Sequence, residues 1–100
     1  MIIYNVTLKV QTDAVEAWVK WMKEEHMPDV LSLGIFTESR LCHLLEQEEE
    51  DGVTFAAQYF CNTYADYQSY IDNHANAMRE KGLKAFAGKF VAFRTVMEII

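Results

Sequence analysis

Residues 46–52, EQEEEDG, form a block of acids ending in glycine, between two runs rich in strand formers, IFTESRLCHLL before it and VTFAAQYFCN after it. A charged, glycine-terminated segment between two strands reads as the solvated tip of a hairpin. A calcium loop would need oxygen ligands at alternating, fixed spacing, and this stretch lacks them. The remaining segments are arranged almost symmetrically about that hairpin.

On the N-terminal side lies EAWVKWMKEEHMPDV, in which Val15, Trp18, Val19, Met22 and His26 share one helical face. Thr12 or Asp13 can cap this helix, with Glu16 close to a capping-box position. Pro28 pushes its predecessor out of the α region, so the helix is expected to stop by Met27. Ahead of it, MIIYNVTLKV alternates with period two, the pattern of a strand. On the C-terminal side Thr63 caps a second helix, with Asp66 as its box partner. Gly82 is expected to end that helix, and Arg79 and Lys81 complement the negative end of its dipole. LKAFAG connects to a fourth strand, KFVAFRTVMEII. The order β-α-β-β-α-β predicts an α+β ferredoxin-like plait, a four-stranded antiparallel sheet with two helices on one face, as a single domain over residues 1–100.

The hydrophobic fraction, 51% of 100 residues, excludes disorder and fits one two-layer core. The formal net charge of -6 disfavours nucleic acid and anionic membrane surfaces as partners. No run approaches the ~18 apolar residues of a spanning helix, and the alternating start is unlike a signal peptide. Cys42 and Cys61 lie in strand-like runs and read as small buried hydrophobes in a reducing compartment, with the cytoplasm as the expected location.

The strands differ by face. Ile2, Tyr4, Val6, Leu8 and Val10 form an all-apolar side expected under the helices, matched on the fourth strand by Val91, Phe93, Thr95, Met97 and Ile99. The other face is then mixed, with Ile3, Asn5, Thr7, Gln58, Phe60, Phe90, Arg94 and Glu98. Such a face is too apolar for water, so a second copy of the chain is expected to cover it and leave a semi-polar, ligand-binding cavity between the sheets. Asn5, Gln58 and Arg94 are the candidate ligand-binding residues there, with His26 and Trp21 as further candidates. Buried in that way, Arg94 requires Glu98 or Glu38 of the partner subunit, or an anionic ligand.

Two histidines complete apolar stripes. His74 shares a face with Tyr67, Tyr70, Ile71 and Met78, as His26 does with the first stripe. Antiparallel helices hold the two apart and no zinc-type spacing is present, so no metal is expected. Each reads first as a packed residue near a helix end. Asn5 and His74 are the weak candidates for catalytic groups. No phosphate loop, nucleophile elbow or paired-carboxylate motif is present, and no cofactor is implied.

MIIYNVT, WVKWMKEEHMPDVL, GIFTESRL, QYF and GKFVAFRTVMEI together resemble a family of short bacterial proteins, domain of unknown function 4286. The resemblance spans nearly the whole chain and implies a dimeric αβ-barrel of ferredoxin-like subunits with no established activity. At the level of fold the chain is also similar to the dimeric αβ-barrel superfamily. That group includes cofactor-free quinol monooxygenases, haem-degrading monooxygenases, dehalogenation-associated proteins and muconolactone isomerases. Haem-degrading members use an Asn on the first strand and a His on the second helix, which Asn5 and His74 match. They also use a Trp from the third strand, where VTFAAQYFCN has none. Two functions follow as expectations: a small-molecule binding module, or a cofactor-independent monooxygenase or isomerase.

Overall fold

The structure is a computed structural model and describes residues 1–100. Strand β1 (Ile2–Val10) is central and pairs antiparallel with β3 (Val53–Cys61) on one side and β4 (Phe90–Glu98) on the other. Strand β2 (Glu38–His43) adds to the far side of β3, giving the order β2-β3-β1-β4. This is the ferredoxin-like plait that the element order predicts. The acidic block is the tip of the β2–β3 hairpin, steadied by Lys9–Glu48 and His43–Glu49 contacts. Strand β2 is shorter than the β-forming run around it, because Phe36 turns into the core at 4% exposure.

The first helical run begins with a 3-10 turn, Thr12–Ala14, and Gln11 holds the capping position in place of Thr12 or Asp13. The Gln11 side chain donates to the Gly88 carbonyl, while Asp13 pairs with Lys89, so both tie the helix start to β4. Helix α1 (Val15–Trp21) passes into a π turn, Met22–His26, and α2 (Met27–Ser32) follows without a gap. The helix therefore runs past Pro28, contrary to expectation. Proline lacks an N–H and its ring collides with the carbonyl four residues back; a widened turn followed by proline in the first turn of a new helical segment relieves both conflicts.

Helix α3 (Tyr64–Asn73) is capped as expected, the Thr63 hydroxyl accepting from the Asp66 N–H at 3.1 Å. Its course breaks at His74, and α4 (Ala75–Ala85) continues. Gly82 does not end this helix but lies inside it; Gly88, with φ +74°, makes the left-handed turn into β4.

The register of β4 reverses the expected face assignment. Val6 faces Arg94, Leu8 faces Ala92 and Val10 faces Phe90. Residues directly opposite share a face, so Phe90, Ala92 and Arg94 belong to the helix-covered side. Val91, Phe93, Thr95 and Met97 lie on the open side with Ile3, Asn5, Gln58 and Phe60. Both phases of β4 carry apolar residues, and the helix layer reaches only the strand's first residues, so alternation alone could not fix the phase.

The core is the covered side of β1 and β3 with one stripe from each helical run. Trp18 is 1% exposed and packs on Phe55, while Tyr4 stands among Phe36, Tyr59, Tyr67 and Tyr70. Full burial of such a side chain contributes about 1.5–3 kcal/mol. Cys61 is buried, as expected of a small hydrophobe; Cys42 is exposed on the edge strand.

Candidate functional site

Between the helices and the sheet lies a cavity of about 60 Å³, room for a few water molecules at ~10–15 Å³ each. Its floor is buried: Tyr4 and Leu8 on β1, Ala57 and Tyr59 on β3, Trp18 and Met22 on the first helical run. Its rim is partly exposed and comprises Trp21, His26, Arg79, Gly82, Phe90 and Arg94. The absent side chain of Gly82 opens the rim, since a Cβ there would touch Trp21 Cη2 at 3.7 Å and Phe90 Cζ at 3.9 Å. The sequence predicts a cavity on the open face, between two sheets; this cavity lies on the helix-covered face.

The π turn shapes this wall. Trp21 and His26 are stacked, with ring centroids 4.7 Å apart and planes 17° from parallel. The His26 Nδ1 is closed off from solvent with no hydrogen-bond partner. Burial holds the imidazole below its ordinary range; Asp29 pulls it up and Lys81 pushes it further down. Two guanidiniums line the same cavity. Arg79 Nη2 donates a long bond of 3.5 Å to the Tyr4 hydroxyl, and its Nε is also closed off without an acceptor. Arg94 approaches from β4. Burial raises the Tyr70 phenol most, and Tyr4 raises it further, while Arg79 and Arg94 both oppose the rise. Tyr59 is likewise pushed up by burial, so these phenols remain neutral hydrogen-bonding groups.

Of the residues singled out from sequence, the structure brings together His26, Trp21 and Arg94. Asn5 and Gln58 lie directly opposite each other on the open face, away from the cavity. The Asn5 amide donates to Thr7 at 3.0 Å and Thr95 at 3.3 Å, which accounts for a buried asparagine in a central strand. His74 is outside the lining, stacked on the outer side of Tyr70 at 6.4 Å. Arg79 and Gly82 were not read as site residues. The available signal was Ala75, Met78, Arg79 and Gly82 at helical spacing, a stripe of small and apolar residues interrupted by one arginine.

A second, shallower groove of about 470 Å³ runs between the first helical run and β2, lined by Val19, Met27, Leu31 and Leu41 among others. No orphaned buried polar atom faces it. No group of three or more His, Cys, Asp or Glu side chains could hold a metal ion, and no helix is long and apolar enough to cross a membrane.

Solved structures share this architecture at low identity. A dimeric ferredoxin-like protein from an uncultured marine organism is 10% identical with a TM-score of 0.69, covering 99% of this chain and 96% of that one. An ethyl tert-butyl ether D (EthD) family protein from Bacillus halodurans is 16% identical with a TM-score of 0.67 and complete coverage of both chains. A monooxygenase-like protein of the antibiotic-biosynthesis type from Nitrosomonas europaea is 15% identical with a TM-score of 0.60, covering 100% and 99%. These likenesses show the fold. Among curated sequences, the Ras-related protein RABA1b of Arabidopsis thaliana is 31% identical over 58 residues, 58% of this chain; the match spans 27% of that protein's length. The family model for domain of unknown function DUF4286 matches residues 1–100, and the chain belongs to that family.

Proposed function

We propose that the protein is a homodimer that binds a small molecule in the cavity between its helices and its sheet. One observation carries the reading: two residues lining a mostly apolar cavity each hold a buried polar atom, His26 Nδ1 and Arg79 Nε, that nothing in the protein satisfies. Leaving a buried polar group unpaired costs ~1–3 kcal/mol each, and a ligand supplies the missing partners. Dimerisation is supported by the open sheet face, where Val91 is 70% and Phe93 62% exposed beside Met97. The acidic charge and two free cysteines fit a cytoplasmic protein that binds neither nucleic acid nor membranes. Native mass spectrometry of freshly purified protein should show two chains and a bound small molecule. A monomer that retains nothing and takes up no fragment near Trp21 would sink the proposal.

A second reading, cofactor-independent oxygenase or isomerase chemistry, is favoured by His26 alone. A neutral imidazole on the cavity rim can accept a proton, while Arg79 and Arg94 of the same lining hold the anion left behind. Turnover of a quinol or an isomerisable lactone, abolished in His26→Gln, would establish it; Asn5 and His74 lie outside the cavity and have no part in this version.

A further inference from the structure

The cations of this chain are distributed unevenly. Of its nine Lys and Arg, Lys9, Arg40, Lys81 and Lys89 pair with Glu48, Glu38, Asp29 and Asp13. Lys20, Lys23 and Lys84 are exposed. Arg79 is the one cation that is both partly buried and without a carboxylate within 4.0 Å, in a chain with 15 acids to choose from. Arg94, with no carboxylate within 4.0 Å either, lines the same cavity from β4. A guanidinium cannot discharge itself by losing a proton, so partial burial without a counter-charge is a standing cost.

We propose that Arg79 and Arg94 form a receptor for a small organic carboxylate whose short apolar body enters the cavity. This deepens the binding reading and rests on it. The planar fork of arginine matches a carboxylate edge, and Tyr4 and Tyr70 belong to the same wall. Eleven of the fifteen lining residues are hydrophobic, so beyond the two cations the cavity rewards an alkyl or aryl body and offers a phosphate dianion few further donors. The enclosed volume of about 60 Å³ is well under the ~150 Å³ void that takes benzene, so a body of a few carbons fits and a larger one projects past Arg94.

The test compares butyrate with its neutral isostere butyramide, and both with inorganic phosphate, by titration calorimetry and amide chemical shifts on the full-length protein. Butyrate should bind about ten-fold more tightly than butyramide, the worth of one charge-assisted contact. Arg79→Met and Arg94→Met should each bring butyrate to within about two-fold of the amide, whereas Lys84→Met on the exposed side of α4 should leave the difference intact. Arg94 is exposed, so its variant folds regardless; Arg79→Lys, which keeps the charge, should recover part of the preference. Equal affinity for acid and amide would overturn the carboxylate receptor while leaving the binding reading intact. Binding of phosphate in place of butyrate would overturn it likewise. Failure of all three probes to bind would overturn the carboxylate receptor, and the binding reading would then stand or fall on native mass spectrometry.

Discussion

Trp21 and His26 stack face to face although they are five residues apart in one helical run. In a regular α-helix, side chains at that separation point about 140° apart. The π turn at Met22–His26 adds a residue to the turn and brings the fifth position over the first. His26 thus leaves the end of an apolar stripe and joins the cavity rim.

That placement has a consequence for acid stability. Burial keeps the folded-state imidazole below its ordinary value of about 6.5, so below that pH the unfolded chain takes up more protons than the folded one. The contribution is complete above about pH 6.5 and is lost as pH falls through and below it. The urea midpoint of the wild type should therefore drop more between about pH 7.5 and about pH 5.5 than that of His26→Gln. His43 and His74 are common to both proteins and cancel in the comparison. Parallel drops would show that His26 titrates as a free imidazole.

Gly82→Ala should stabilise the fold by about 0.4–1 kcal/mol, because a helix-interior glycine is replaced and the new methyl makes ordinary contacts with Trp21 and Phe90. Gly82→Phe should leave the helix intact and close the rim. Thermal melts and ligand titration of the two variants separate these effects; an unaltered affinity in Gly82→Phe would place the ligand elsewhere.

Phe93→Asp puts a charge on the open face of the edge strand β4, on the side of the sheet away from the cavity. In a dimer closed through this face it should convert the protein to monomer, measured by light scattering at micromolar concentration. A wild type that is already monomeric, or a variant that remains dimeric, would show that the sheets do not face each other.

Thr63→Ala removes the hydroxyl that accepts from the Asp66 N–H at 3.1 Å. A loss of about 0.5–2 kcal/mol in urea unfolding is expected, with no change in ligand affinity. A smaller loss would mean that water caps α3 as well as the hydroxyl does.

The fold was legible because its signals are local and redundant. Alternation in β1, the Thr63 cap and the acidic hairpin tip each point to one conformation, and each stands in the structure. The cavity was less legible because it depends on three non-local facts. The phase of β4 is set by pairing with β1, not by its own sequence, which is apolar on both sides. The π turn decouples His26 from the 3.6-residue count that identified its stripe. Gly82 resembles a helix stop until its packing against Trp21 and Phe90 is known, and Arg79, three residues earlier, resembles a dipole cation for the same reason. Asn5 drew attention as an asparagine in a central strand; two threonine hydroxyls answer for it.

Both tryptophans of the chain stand in the wall of this one cavity. Trp18 lies in its floor against Phe55, and Trp21 on its rim against His26. All indole emission from the protein therefore originates at the wall of this cavity. Trp21, the half-exposed one, should carry most of the spectral response, since filling the rim replaces water around its ring and protonation of His26 places a quencher on its face. The native protein is in this sense its own optical gauge: the colour of its fluorescence reads whether the pocket is wet, filled or acidified, without a label.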